Sequence, residues 1–498
     1  MTVHPAGKTE RGEEGMGLFT LAEMREVISV KVLAGDPSLF STKRRIRGIS
    51  TDSRSIHRGD LFVALQGDRY DGHQFVQEVL AKGAAGAIVH DSYRWEGKHT
   101  KAIGSRNEPF LFGVQDPLFA YQQLATHHRS RFSIPVIAVT GSNGKTTTKD
   151  MVASVLAQRW RTLRTEGNYN NRIGVPYTLF RLTARHQAAV IEMGVDHRGQ
   201  TTRLCEIVHP TIGIITNIGP DHLEFFGGME GSAQAKAELL DMLSPDGTVI
   251  LNADDPYFDY LASRAHCRVV SFGLSERAHV RAIHVTSDAR KGTRFGLLLP
   301  GKSRPTSVVI KVPGLHNVTN ALAAAAIGYC LNFPGIMIAQ GLAKFRPAAM
   351  RSQIVSHHGV QIINDCYNAN PGSMRAALQL LGEWTPARER VAVLGDMLEL
   401  GRETLNMHRE VGRFVAGQSL SRLIVCGELG REIAAGARQG GMSSQAIVEV
   451  ADAAAAADLL KKSVRRGDVV LVKASRGMRM EQIVQGLTGM KAVTKQAS

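Results

Sequence analysis

The chain predicts an α/β protein of three domains: a small N-terminal α/β unit, a central, mostly parallel, doubly wound phosphate-loop domain, and a C-terminal Rossmann-like α/β domain. Three observations carry that prediction. At 498 residues the chain is too long for one hydrophobic core. The stretch Val136 to Lys149 reads V-I-A-V-T-G-S-N-G-K-T-T-T-K, four apolar β-formers, a Gly-rich turn, then Lys and threonines. Apolar strands and helical patterns alternate around it, as they do in a parallel sheet covered on both faces.

Composition narrows the class. A hydrophobic fraction of 43% with 21% charged residues is that of an ordinary globular protein. Five cysteines stand far apart, odd in number and without a C-x-x-C pair, so free thiols in a reducing, cytoplasmic setting are expected. The run Ala321 to Phe333 is the nearest to a membrane span, but it is short and alanine-rich, so no membrane insertion is expected. The net charge of +15 would suit nucleic acid, an anionic surface or a phosphorylated substrate. The basic residues are scattered rather than interleaved with aromatics, which favours a solvated surface over a nucleic-acid face.

In chain order, residues 1–17 are polar and Gly/Glu-rich and predict a disordered tail. The first domain, about residues 18–113, carries Gly48-Ile49-Ser50-Thr51-Asp52-Ser53-Arg54. Small hydroxyls around an Asp and an Arg at a strand end suit a polyhydroxyl or diphosphate ligand. They suit an Asx-turn with a surface Arg equally well.

The second domain, about residues 114–344, holds the phosphate loop. Gly141 and Gly144 permit unusual dihedrals, Ser142, Asn143 and Thr147 complete the turn, Lys145 can reach phosphates, and Thr146 can offer a hydroxyl to Mg²⁺. The usual loop spacing wants Gly where Val139 stands. Strands are expected at Ala189–Ile191, Ile212–Thr216 and Val249–Leu251, with Glu192, Asn217, Asp221 and His222 just beyond such strands. Oxygen and nitrogen donors gathered there favour Mg²⁺ over a structural role. Lys236, on a helix expected over Ala233–Met242, reads ordinarily as a surface lysine.

The third domain, about residues 345–498, repeats the alternation with polar strand ends at Asp365, Gly395-Asp396 and Lys473-Ala474-Ser475-Arg476. No G-x-G-x-x-G fingerprint occurs in it, so nothing argues for NAD or FAD. Two α/β domains around a phosphate loop predict a cleft that closes and excludes water.

Five runs resemble the ATP-dependent Mur ligases of peptidoglycan synthesis. They are Ser50 to Arg54, Thr140 to Thr146 (T-G-S-N-G-K-T, which accounts for Val139), Thr165 to Pro176, Asp365 to Pro371 and Leu394 to Gly401. The resemblance spans Leu18 to about Gly489. Their combination implies, within that family, the step that joins D-alanyl-D-alanine to a UDP-N-acetylmuramoyl-tripeptide through an acyl phosphate. It further implies ATP and two Mg²⁺ ions, with Thr146 and Glu192 on one ion and His222 on the other. Lys145, His222 and Lys236 are then the catalytic candidates, Lys236 as a carbamylated, carboxylate-like Mg²⁺ ligand.

The resemblance also assigns His316, Asn317 and Asn320 to the adenine side, with Asn252 and Asp254 near them. Asp365, Asn368 and Arg351 would face ATP from the third domain, although Met350 replaces the Gly expected before Arg351. Ser50, Thr51, Asp52, Ser53, Arg54, Asn170, Asn171, Asn370, Ser475 and Arg476 are the substrate candidates. Cys366, at a position that relatives give to Asp or Ser, is small enough to fit. A monomeric cytoplasmic enzyme acting on small molecules, with no nucleic-acid partner, is the expectation. Another Mur-type ligase, a folylpolyglutamate synthase and a cyanophycin synthetase share the ATP machinery. A regulatory or nucleic-acid-stimulated ATPase is the competing class; a GTPase is disfavoured because no Asn-Lys pair occurs.

Overall fold

A computed structural model describes residues 17–35, 44–67, 70–95, 109–289 and 291–489. The tail expected over 1–17 therefore lies, up to residue 16, outside the described residues. Three sheets account for the α/β prediction.

The N-terminal sheet orders its strands Lys31–Ala34, Phe110–Val114, Gly86–His90, Leu61–Val63 and Ile49–Ser50, all parallel except the first. Ser50 thus ends an edge strand, and the turn from Thr51 to Arg54 emerges from it. A short antiparallel pairing, Phe19 with Ile46, fastens the chain's beginning, and Phe19 packs among His127, His128 and Phe180 of the next domain.

In the middle sheet Val136–Thr140 lies between Ala188–Glu192 and Ile212–Ile215, all parallel. The chain leaves Thr140, forms the helix Lys145–Leu156, and returns at the far side of Ala188–Glu192 through Thr162–Arg164. Strand order reverses there, and open α/β sheets bind ligands at such a switch point, beyond the strand C-termini. Thr248–Asn252 and Arg268–Gly273 extend the sheet in parallel, then Val280–Asp288 joins it. The last three strands, ending with Gly292–Leu298 and Thr306–Ile310, form an antiparallel extension that periodicity had not predicted.

The alanine-rich run is no membrane segment. Helix Leu315–Cys330 is wholly buried from Ala321 to Ile327, in one apolar core with Met151, Val152 and Val155 of the phosphate-loop helix. Small side chains let it pack closely, and a Cβ on Gly328 would already stand 2.7 Å from Ile338 Cγ1. Among the described residues no helix is long and apolar enough to cross a membrane.

The C-terminal sheet runs Gln353–His357, Val360–Asn364, Val469–Lys473, Arg390–Leu394, Arg422–Cys426 and Ile447–Val450, parallel after its first pair. Strand Val469–Lys473, the last among the described residues, inserts centrally, which brings Lys473 beside Asp365 and Gly395. Both large sheets point their strand C-termini at one cavity of about 850 Å³.

Candidate active site

The phosphate loop is locked by partners distant in sequence. Gly141 (φ 133) and Gly144 (φ 80) adopt backbone conformations that favour glycine, and a Cβ on Gly141 would strike Thr216 Oγ1 at 2.0 Å. Asn143 N–H donates to Asn217 Oδ1 (3.0 Å), while Thr216 Oγ1 (2.6 Å) and Asn217 Nδ2 (3.0 Å) donate to its carbonyl. Ser142 Oγ accepts from Gly219 N–H (2.7 Å) and lies 2.6 Å from Asp221 Oδ1. Lys145 Nζ donates to the loop carbonyls of Gly141 (2.6 Å) and Ser142 (3.3 Å), so its charge stays inside the loop's own curve. Thr147 lines the same cavity.

Two carboxylates face this loop. Glu192 Oε1 accepts from Thr146 Oγ1 (3.0 Å) and Asn170 Nδ2 (2.8 Å); its Oε2 is buried without a hydrogen-bond partner, with Lys149 Nζ 3.7 Å away. Asp221 Oδ1 accepts from Lys236 Nζ (3.0 Å) and Ser232 Oγ (3.1 Å), and its Oδ2 is equally unpartnered. Burial opposes the Asp221 charge, yet the Lys236 and Lys145 ammoniums hold it below the usual carboxylate range.

Lys236 is not a surface lysine. It is fully buried on helix Met229–Asp241, 4.7 Å from the Phe226 ring centre. Burial pushes its ammonium below the ordinary range, with Lys145 adding to that effect and Asp221 opposing it. Glu238, two residues on, turns away to the N–H groups of Gly199 and Thr202. His222 lines the cavity with its Nδ1 2.5 Å from Glu399 Oε2 of the C-terminal domain.

Across the cleft, Asp365 Oδ2 accepts from Lys473 Nζ (2.6 Å) and Oδ1 from Ser352 N–H (2.7 Å). Burial raises the cost of its charge, but Lys473 holds Asp365 below the usual carboxylate range. Asn368 contributes its carbonyl to the same ammonium at 2.9 Å. Asn370 caps helix Pro371–Gly382 by accepting from Ser373 N–H (2.9 Å), and its Nδ2 donates to Asn143 Oδ1 (2.9 Å). It therefore ties the C-terminal domain to the phosphate loop. Arg351 stacks 3.9 Å over the Tyr367 ring centre, and Met350, where Gly was expected, takes φ 60, a left-handed conformation that favours glycine. Ser475 accepts from Leu398 N–H (2.9 Å), and Arg476 reaches Glu481 (3.2 Å). Cys366 fits, fully buried with its thiol donating to the Val472 carbonyl.

Asn252, His316, Asn317, Asn320, Asn170 and Asn171 also line the cavity. Asp254 does not, because its carboxylate is taken by the N–H groups of Leu274 and Ser275. The N-terminal turn does not reach the cavity lining either. Asp52 Oδ1 accepts from Arg54 N–H (2.9 Å), an Asx-turn, while both carboxylate oxygens hold the Arg54 guanidinium. Ser50 Oγ accepts from Asp52 N–H, Thr51 is half-buried, and Ser53 gives its carbonyl to Lys82. The Asp52 charge is nonetheless among the influences raising the Tyr169 phenol, after burial and Tyr177. The Asp52 charge is therefore within electrostatic reach of Tyr169, in the Thr165–Pro176 run. Asn217 and Asp221 were expected only as possible Mg²⁺ donors, Lys473 only as a polar strand end and Glu399 only as part of the Leu394 to Gly401 run; none of the four had been given a role of its own.

Comparisons with known proteins agree with this geometry. The family description "Mur ligase family, catalytic domain" matches residues 45–127, "Mur ligase middle domain" 139–328, and "Mur ligase, glutamate ligase domain" 350–476. A Bacillus subtilis protein named UDP-N-acetylmuramoyl-tripeptide–D-alanyl-D-alanine ligase is 35% identical over 89% of this chain and 93% of its own length. The crystal structure of MurF from Acinetobacter baumannii superimposes with a TM-score of 0.83 at 31% identity, covering 95% of this chain and 99% of that one. MurF ligase of Thermotoga maritima, solved in complex with ADP, gives 0.76 at 27% identity over 88% and 96% of the two chains. Three matched domains in one order, and identity sustained almost end to end, lead to one conclusion: the chain belongs to the Mur ligase family.

Proposed function

We propose that the chain is an ATP-dependent ligase that joins D-alanyl-D-alanine to UDP-N-acetylmuramoyl-tripeptide and forms the pentapeptide precursor. The observation that carries this reading is the cavity in which the phosphate loop of one domain meets Asp365, Asn368, Asn370 and Arg476 of another. Relatives of that name, similar over nine-tenths of the chain, supply the substrate identity.

The tripeptide's terminal carboxylate attacks the γ-phosphorus of ATP, the bond to the β-phosphate oxygen breaks, and ADP leaves. The amine of D-alanyl-D-alanine then attacks the acyl phosphate; the tetrahedral intermediate loses a proton and expels inorganic phosphate, leaving the amide. Lys145 offsets charge on the phosphoryl group, and the Gly141–Thr146 backbone orients it. Asn317, Asn320 and Asn252 hold the adenosine side, with Asp365, Asn368 and Arg351 opposite. Ser50 to Arg54, Asn170, Asn171, Asn370, Ser475 and Arg476 position the two other substrates.

Mg²⁺ takes hard oxygen ligands, and Glu192 Oε2 and Asp221 Oδ2, both without a hydrogen-bond partner, fit it, as does the Thr146 hydroxyl that Glu192 holds. Among the described residues no cluster of three or more His, Cys, Asp or Glu is arranged to hold a metal alone, so nucleotide oxygens would complete the coordination. When bound, the ion supplies positive charge to the phosphates. Thr146 and Glu192 would hold one ion and His222 a second. Carbamylated Lys236 would join the second ion; the lowered ammonium pKa favours the neutral amine that CO₂ requires. Five unpaired thiols support a cytoplasmic setting.

Purified protein given ATP, Mg²⁺ and UDP-N-acetylmuramoyl-tripeptide should release phosphate only when D-alanyl-D-alanine is added, with a product of pentapeptide mass. Release driven instead by glutamate, another amino acid or nucleic acid would replace this reading.

A further inference from the structure

His222 and Glu399 meet across the cleft from different domains. His222 precedes the short helix Leu223–Phe226 of the middle domain; Glu399 follows the strand Arg390–Leu394 of the C-terminal one. Besides the 2.5 Å approach of Nδ1 to Oε2, Glu224 N–H donates to the Glu399 carbonyl at 3.2 Å. Gly401 packs so near that a Cβ there would stand 3.2 Å from Glu224 Cα. His222 (φ 50) and Glu399 (φ 65) both hold left-handed backbone, which non-glycine residues keep only where their surroundings over-determine it. Both side chains line the cavity of the phosphate loop. Among the described residues Nδ1 is the ring nitrogen that is engaged, which leaves Nε2.

A histidine that ligates a metal through one nitrogen commonly donates its other N–H to a carboxylate, which fixes tautomer and ring orientation. We propose that Glu399 is a positioning residue delivered by closure of the C-terminal domain: it accepts the Nδ1 proton of His222 and so leaves the Nε2 lone pair for the divalent cation of the ATP complex. Closure and completion of the cation site are then one event. The idea rests on the ligase reading above, in which His222 serves a cation. Asp196 is another carboxylate whose charge interacts with His222, but its Oδ1 is already taken by His197 Nδ1 at 2.7 Å.

The test uses the full chain with ADP and Mn²⁺ as a paramagnetic probe of the cation site. Three quantities are read: the Mn²⁺ dissociation constant, the metal-free ADP affinity, and the radius of gyration on nucleotide binding. Glu399→Ala should weaken Mn²⁺ about 10- to 100-fold while metal-free ADP binding stays unchanged. Glu399→Gln, whose amide oxygen can still accept from Nδ1, should recover most of that loss. If the alanine variant does not fold, Glu399→Met, similar in size and without an acceptor oxygen, carries the same expectation. Mn²⁺ binding within twofold of the parent in a folded variant lacking the acceptor overturns the proposal, whether or not closure changes. A parent chain that binds no nucleotide would instead fell the ligase reading, and this proposal with it.

Discussion

The phosphate loop and the Ser50–Arg54 turn are both short polar runs at strand ends, yet they are held in opposite ways. The loop's partners come from Thr216, Asn217, Gly219, Asp221 and Asn370, up to 227 residues away. The N-terminal turn is satisfied mainly from within, Asp52 serving Arg54 and Ser50 serving Asp52. A loop clamped by its whole domain is preorganised for charge that develops in a transition state. A self-satisfied turn on an exposed edge can bind a ligand but contributes little to chemistry. If that contrast is right, substitutions in the two places should differ in kind as well as in size.

The largest effect is expected at Lys145. Lys145→Ala should lower kcat by about a thousandfold or more, because the lost charge acts on the transferring phosphoryl group. Lys145 is half-buried and donates to two loop carbonyls rather than to a carboxylate, so stability should fall far less than turnover. Substantial ligase activity in this variant would erase the contrast. Lys236→Ala comes next, with about a hundredfold loss of turnover. In the unmodified protein it should also cost about 3 kcal/mol of stability, since the buried Asp221 loses its nearest ammonium. Acetate separates the two consequences: as a stand-in for the carbamate it should restore part of the rate and none of the stability. A full-rate Lys236→Ala enzyme would end the carbamate idea.

What could be read from the chain follows the same division. Local chemistry marked the phosphate loop, Glu192 and the Asp365–Asn370 run, because strand, turn and helix signals are adjacent there. Pairings across long separations left no local trace. Lys473 reaches Asp365 across 108 residues, and His222 reaches Glu399 across 177. From its own surroundings Lys236 reads as exposed, and only the resemblance drew it into the site, because helical spacing did not say which face Asp221 would cover. The strands from Val280 to Ile310 escaped notice because their alternation is broken by polar residues and a register shift between Ile283 and Thr286. The resemblance put Asp254 near the adenine side, but its oxygens serve a turn.

The joint between the N-terminal and middle domains offers a pH-dependent effect of intermediate size. His128 is buried among Phe19, Phe132 and Phe180, its Nε2 3.1 Å from the Leu182 carbonyl and its Nδ1 unpartnered. Burial pushes its pKa from 6.5 down to about 4. Between those values the unfolded chain binds the proton and the folded one does not, so stability is complete above pH 6.5 and falls as pH drops toward 4. The loss integrates to about 3 kcal/mol at most. Urea melts at pH 7.5 and 5 should show His128→Gln losing less stability on acidification than the parent. Equal losses would place the acid sensitivity elsewhere.

The smallest effect on the folded protein should come from the turn itself. Asp52 and Arg54 are exposed, and a surface pair of this kind contributes little to stability, so Arg54→Ala should leave the melting temperature where it is. Its effect should fall on one substrate. The Asp52 charge reaches Tyr169, in the Thr165–Pro176 run. A bidentate guanidinium freed from Asp52 could instead hold a diphosphate oxygen, exchanging one anion for another. Arg54→Ala should therefore raise the KM for the UDP-linked tripeptide about tenfold, the cost of one charge-assisted contact, with kcat and the KM for ATP nearly unchanged. Arg54→Lys should recover only part, since an ammonium cannot reproduce the fork. A kcat effect comparable to that at Lys145 would mean the turn shares in the chemistry, and the contrast between the two runs would fail. No change in either constant would leave the Asx-turn as the whole role of these residues.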